Sequence, residues 1–161
     1  MKKFTDHVSH VAWISRPENF EENATKLARL ADAHMVRFER RDMGFAMYIS
    51  WEAGLEIVAP LEQQTEFNQA LYTWLETHGE GVFSVVFGIR ELEKHRQRIV
   101  ALGYEAGPLM HDHPQSPWHD KLHRYDSSMV LRDGDPASFL GTCFILGDID
   151  YADGVVSFGD A

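Results

Sequence analysis

The stretch Gly54-Leu55-Glu56-Ile57-Val58-Ala59-Pro60 reads as a short strand, with Leu55 and Ile57 on one face and Glu56 and Val58 on the other. A carboxylate among apolar strand residues is costly to bury unless it is paired, hydrogen-bonded or bound to a cation, so Glu56 requires a partner. The first strand-like segment, residues 7–14, has the nearest matching pattern: His10 shares a face with Val8, Ala12 and Ile14. An imidazole and a carboxylate, each on a central-looking strand, are candidate ligands of a divalent metal or members of an acid–base pair. The plain alternative is that Glu56 bonds a neighbouring backbone or side-chain group.

Outward from this pair the chain alternates strand and helix signals. Pro17 opens a helix, and Phe20, Ala24, Leu27 and Leu30 recur at helical spacing. Residues 34–41 and 44–51 read as strands joined by the turn Asp42-Met43-Gly44, and residues 54–60 follow through a tight connection. The order is β-α-β-β-β. Phe67, Leu71, Trp74 and Leu75 mark a connecting helix over residues 62–78, stopped by Gly79. Then the order restarts. Residues 82–89 form an apolar strand, and Leu92, Ile99 and Leu102 a helical stripe ending at Gly103. Three more strands follow: residues 104–110, interrupted by Pro108, then 128–132 and 139–146, the last two separated by Asp133-Gly134-Asp135-Pro136. The expectation is an α+β fold of two tandem βαβββ modules, residues 4–61 and 79–147, within one domain over residues 1–147. An acidic tail occupies residues 148–161.

At 161 residues, 44% hydrophobic and 25% charged, the chain is an ordinary globular one. A net charge of −10 with no basic patch argues against a nucleic-acid partner. No apolar run is long enough to cross a bilayer, and Met1-Lys2-Lys3-Phe4 leads into strand-like sequence without a signal-peptide core, so no membrane role is expected. The lone cysteine, Cys143, cannot form an internal disulfide, which suits a cytoplasmic protein.

A tandem β-α-β-β-β chain with His10 on its first strand and Glu56 on its fourth resembles the vicinal oxygen chelate superfamily, the glyoxalase, bleomycin-resistance and dioxygenase group. The likeness rests on His10-Val11-Ala12-Trp13-Ile14, on the Gly54–Pro60 stretch, and on Gly79-Glu80-Gly81-Val82-Phe83-Ser84-Val85-Val86-Phe87. The resemblance implies an open mixed-sheet barrel around a pocket, a glyoxalase-like fold, with a divalent metal held from the first and fourth strands of each module. Carried over position by position, His10 and Glu56 fall on metal-ligand positions. In the second module Ser84 stands where the family often has histidine, and Cys143 where it often has glutamate. Serine is a poor ligand for most divalent metals, whereas cysteine binds zinc well as a thiolate. As a residue, Cys143 reads most simply as a small buried hydrophobe.

Two further segments carry titratable groups. Residues 111–125 hold His111, His113, His119 and His123, four of the nine histidines. A loop of that length inside a compact domain is either functional or disordered. Folded over the pocket, it would supply an imidazole to His10 and Glu56, or an acid–base group such as His113. A helical turn there would set His119 and His123 on one side. Glu80, between Gly79 and Gly81, is a candidate second base at the pocket rim, or simply part of a helix stop and turn.

Two functions follow from the resemblance. One is a metal-assisted lyase or isomerase acting on an oxygen-bearing (carbonyl or aromatic) metabolite, with Glu56, Glu80 and His113 as catalytic candidates; a ring-cleaving dioxygenase fits less well. The other is a metal-free protein that binds or sequesters a small molecule in an apolar pocket lined by strand aromatics. Dimers are common in the family, and the apolar sheet edges would permit a homodimer here.

Overall fold

The computed structural model describes residues 7–156; the first six and last five residues, including the ends of the expected domain and tail, lie outside it. The elements are β1 (His7–Ile14), a 3-10 turn (Pro17–Asn19), α1 (Phe20–Ala31), β2 (Val36–Arg40), β3 (Phe45–Ser50), β4 (Leu55–Pro60), α2 (Glu66–His78), β5 (Gly81–Ile89), α3 (Leu92–Ala101), β6 (Glu105–His111), β7 (Leu122–Leu131) and β8 (Cys143–Tyr151). The fold is mixed α+β, an eight-stranded sheet with three helices among the described residues. The chain divides into two compact units, Ala12–Phe83 and Met1–Val11 with Ser84–Ala161.

In the Ala12–Phe83 unit the strand order is β2-β3-β4-β1, with β2, β3 and β4 successive antiparallel neighbours. Alternation sorts the side chains. Ala46, Ile57 and Ala59 face α1, where Phe20 and Ala24 are buried against them and Trp13, Leu27 and Tyr48 pack alongside. The opposite face of the same strands carries Met47 beside Val58 and Ile49 beside Glu56. Acidic Glu21 and Glu22 in the first turn of α1 suit its dipole, and Asp32 closes it in the left-handed region. The start of α2 is tied to the β2–β3 turn. Thr65 caps Asn68 N at 3.0 Å and donates to Met43 O at 2.6 Å, while the Asn68 amide donates to Gly44 O and Leu61 O. Gly44 has φ of +76°, and a Cβ there would lie 2.8 Å from Asn68 Cβ, so only glycine fits.

In the other unit the order is β1-β5-β8-β7-β6, with β5 and β8 parallel and β8, β7 and β6 antiparallel. Ile89, Leu92, Val130 and Leu146 form the core under α3, joined by Phe87, Ile99, Tyr104 and Phe144. The face turned away from α3 carries Ser84 beside Cys143, Val86 beside Ile145, and Tyr125 beside Ile149. The register of β6 on β7 shifts between Ala106 and Leu109, around the Pro108 that the sequence marks as an interruption.

Two strands run further than their sequence pattern suggests. β7 begins at Leu122, not residue 128, and takes in His123, Arg124 and Tyr125 from the histidine-rich segment. β8 starts at Cys143 and continues through Asp148, Ile149, Asp150 and Tyr151, so the first four residues of the expected acidic tail are strand. Ile149 and Tyr151 are buried.

Candidate functional site

Glu56 sits on β4, half-buried, on the face turned away from α1, with Ile49 directly across on β3 and Val58 two residues on. The strand therefore presents the carboxylate as its alternation predicts.

His10 belongs to the other unit and is 2% exposed. Its Nδ1 lies 3.3 Å from Ser9 Oγ, and Ser9 Oγ lies 2.8 Å from the Tyr151 hydroxyl. The Tyr125 ring stands edge-on to the imidazole, centroids 6.4 Å apart and planes at 64°. Tyr125 and Tyr151 both project from the face turned away from α3. Burial pushes the Tyr151 phenol above its ordinary range, and its bond with Ser9 offsets only part of that rise. Tyr151 and Ser9 escape sequence reasoning because they are 142 positions apart. The signal that existed was the alternation Ile149-Asp150-Tyr151 continuing β8.

Ser84 and Cys143, the second-module positions matched to family ligands, are cross-strand partners on β5 and β8. Cys143 is fully buried, and burial first, then the charge of Asp135, pushes its thiol up to about 12. It is a neutral thiol at physiological pH, beside a buried serine hydroxyl.

Glu80 lies in the turn between α2 and β5. Its Oε1 accepts hydrogen bonds from Arg16 N at 2.8 Å, Ser15 Oγ at 3.1 Å, Asn19 Nδ2 at 3.2 Å and Asn23 Nδ2 at 3.3 Å. Desolvation works to raise this carboxyl, but the bonds from Arg16 N, Asn19 and Ser15 outweigh it and hold it below the usual carboxylate range. Its donors join the end of β1 to the start of α1, which makes Glu80 a clasp within the Ala12–Phe83 unit and a weak base.

The histidine-rich segment closes on itself. Trp118 is 4% exposed and donates Nε1–H to Asp112 Oδ1 at 3.2 Å, while Ser116 Oγ donates to Asp112 Oδ2 at 2.8 Å. His113 Nδ1 accepts from Gln115 N at 3.1 Å, and His119 Nε2 donates to Pro114 O at 2.8 Å. His111 pairs with Asp126 at 2.6 Å on neighbouring strands. His119 and His123 do not share a helix, since His123 stands in β7.

No protein-family model matches the sequence, and no curated protein matches it either. Solved structures do match in shape. Methylmalonyl-CoA epimerase from Mycobacterium tuberculosis superposes with a TM-score of 0.62 at 12% identity, over 88% of this chain and 87% of that one. A hypothetical protein from Bacillus halodurans C-125 gives 0.61 at 11% identity, over 96% of each chain. A methylmalonyl-CoA epimerase in complex with methylmalonyl-CoA and ammonium gives 0.62 at 15% identity, over 96% of this chain and 100% of that one. The chain has the vicinal oxygen chelate fold.

The divalent metal that this fold implies does not fit the residues present. Among the described residues no group of three or more His, Cys, Asp or Glu side chains is placed to hold a metal ion. In the second unit the positions matched to the family's ligands carry a buried hydroxyl, Ser84, and a buried thiol, Cys143, in place of an imidazole and a carboxylate. Among the described residues, no helix is long and apolar enough to cross a membrane.

Proposed function

We propose that this chain is a cytoplasmic small-molecule enzyme of isomerase or lyase type, which relocates a proton on a carbonyl-bearing metabolite. The observation that carries the reading is His10: an imidazole 2% exposed, hydrogen-bonded to Ser9 and flanked by Tyr125. Burying an imidazole costs free energy, and a buried polar group with oriented partners is what proton-transfer chemistry requires. The fold likeness to epimerases supports an isomerase and suggests acyl thioesters among the first substrates to try. Hydrogens next to a thioester carbonyl are acidic, and their removal leaves an enolate oxygen that a buried N–H stabilises. Glu56 is the carboxylate candidate for proton removal and is tested by its own substitution. A homodimer belongs to the same reading and is checked by sedimentation.

No step in this reading runs through a metal: at the second-unit positions matched to the family's ligands, Ser84 and Cys143 stand in place of an imidazole and a carboxylate, and among the described residues no group of three or more His, Cys, Asp or Glu is placed to hold one. That same pair favours the second reading, a protein that binds a small carbonyl compound without transforming it. Both are tested by incubating the protein in heavy water with a panel of thioesters and other carbonyl compounds, following deuterium uptake by proton NMR. The enzyme incorporates deuterium, and His10→Gln slows this by about 100-fold. A rise in melting temperature without exchange supports binding alone. Metal analysis of protein purified without a histidine tag accompanies the assay, with stoichiometric metal lost in His10→Ala overturning the metal-free route.

A further inference from the structure

We propose that His111 and Asp126 form a general-base dyad in the wall of a groove on the α3 side of the sheet, a second site that hydrolyses small, uncharged aryl esters. The groove belongs to the unit that contains β5 to β8, and it stands apart from the functional reading above. Pairing of β6, β7 and β8 sets His111, Asp126 and Asp148 in one cross-strand row. Alternation puts that row on the face of Val130 and Leu146, which pack under α3, and so on the face opposite Tyr125 and Ile149. The groove encloses about 520 Å³, room enough for a small aromatic ligand. Leu92 and Leu109 give it apolar walls, and Lys94 and Arg124 line it with the row.

The hydrogen bond of the dyad runs one way. His111 Nδ1 lies 2.6 Å from Asp126 Oδ1, and an ionised carboxylate only accepts, so Nδ1 carries the proton. In the neutral ring the lone pair is then on Nε2. The His111 side chain is 70% exposed, so water and ligand reach that nitrogen. Asp126 is held from its other side: Arg124 Nε is 3.7 Å from its Oδ2, and Arg124 Nη2 donates to Asp148 Oδ1 at 2.7 Å. The backbone is fixed too, since Asp112 N donates to Tyr125 O at 3.0 Å beside the pair. A surface ion pair adds little to stability, whereas a carboxylate that is itself anchored orients an imidazole as a base. In the reaction, Nε2 takes a proton from water while the water oxygen bonds to the ester carbonyl carbon. The bond from that carbon to the aryl oxygen then breaks, and the departing oxygen recovers the proton from the imidazolium, leaving carboxylic acid and phenol. Lys94, whose ion pair with Glu91 is 3.4 Å long, supplies positive charge to the carbonyl oxygen as it becomes an oxyanion. His111 is the catalytic residue and Asp126 its positioning residue.

Sustained hydrolysis of phenyl acetate at pH 8, followed by phenol release over many turnovers, tests the site. The reference is N-acetylhistidinamide at nine equivalents, matching the nine histidines of the chain. The native protein should exceed that reference by about 100-fold, and His111→Gln and Asp126→Asn should each bring the rate back to it with the fold retained. Ring-nitrogen NMR on protein labelled with 15N-histidine reads the positioning role without substrate. The His111 proton should sit on Nδ1 in the native protein and redistribute towards Nε2 in Asp126→Asn. A native rate no higher than the reference overturns the proposal, as does an excess that survives His111→Gln. An excess that survives Asp126→Asn, or a native proton on Nε2, overturns the dyad. Should Asp126→Asn fail to fold, His111→Gln and the native spectrum decide. Failure here leaves the deuterium-exchange reading of the protein untouched, and failure of that reading leaves this one.

Discussion

In the Ala12–Phe83 unit the last strand carries Glu56 half-buried across from Ile49, whereas in the other unit β8 carries Cys143 fully buried across from Ser84. The two strands belong to the same architectural repeat, yet one displays an ionisable group and the other a neutral pair. The connections differ in the same sense. β2 and β3 are joined by a short turn closed by Met43 N and Gly44 N on Arg40 O, while β6 and β7 are joined by a long loop organised around Trp118. A duplicated scaffold keeps its backbone order because hydrogen-bonded strand pairs demand it, and it spends its side chains differently in each copy.

The largest effect expected breaks the comparison at those connections. Trp118→Ala removes a ring that is 4% exposed and the donor that Asp112 accepts. A buried tryptophan truncated to alanine costs about 3–5 kcal/mol, read as a drop in the urea midpoint at unchanged slope. A solvated, mobile lid would lose under about 0.5 kcal/mol. Protection of the Asp112 and Ser116 amides from hydrogen exchange, whose bonds to Tyr125 O and His113 O close the loop, should fall with it.

Next comes the contrast between Glu56 and Cys143. Glu56→Gln should slow deuterium exchange about 100-fold, equivalent to roughly 2.7 kcal/mol, while Cys143→Ala should leave the rate within a few-fold. The thiol itself should resist thiolate-specific reagents at pH 8 until the protein unfolds, since burial holds it at about 12. The sign for stability follows. The folded value is raised, so this contribution is fully present below the ordinary thiol range and is lost as pH climbs towards about 12. Rapid labelling of the native protein at pH 8 would remove the distinction between the two strands.

How much of this was legible in the sequence depends on which physical signal each residue leaves. Glu56 was, because strict alternation through Leu55, Ile57 and Val58 assigns it a face, and the register with Ile49 bears that out. The α1 face was, because Phe20, Ala24 and Leu27 repeat at helical spacing and pack together. The early start of β7 was not. His123, Arg124, Asp126 and Ser127 are polar on both faces, so no alternation marks a strand. Its pairing is ionic instead: Arg124 reaches Asp148 at 2.7 Å, and Asp126 takes His111. The same pairing hid the end of β8, whose aspartates read as a tail. The Ser9–Tyr151 bond leaves no local trace, since nothing in either neighbourhood names a partner 142 residues away.

Glu80 sharpens the comparison from within the Ala12–Phe83 unit. Glu80→Gln keeps the shape and removes the charge that Arg16 N, Ser15 and Asn19 address. On an exposed side chain these charge-assisted bonds contribute about 1 kcal/mol after screening. Because the folded carboxyl lies below its ordinary range, the native protein should exceed the variant in stability at pH 7 and lose that margin as pH falls through the acid range. A margin unchanged between pH 7 and pH 3 would mean that packing, not charge, holds the clasp.

The smallest effect concerns two turns of identical form in the β7–β8 connection. Asp133-Gly134 and Leu140-Gly141 both place two consecutive residues at positive φ, 52° and 75° in the first and 50° and 78° in the second. Each turn is closed by a reciprocal pair of backbone bonds, Arg132 with Asp135 and Phe139 with Thr142. Asp-Gly is the sequence such a turn favours, because a short polar side chain tolerates the left-handed region, whereas a leucine there is strained. Leu140 gains nothing from burial in return, being 89% exposed. Leu140→Asn should therefore raise stability by roughly 0.5–1 kcal/mol, seen as a higher urea midpoint at unchanged slope, while Asp133→Leu should lower it by a similar amount. A loss of stability in Leu140→Asn would show that the leucine side chain contributes contacts that outweigh its backbone strain, and the two turns would then differ in what they hold, not only in how comfortably they are made.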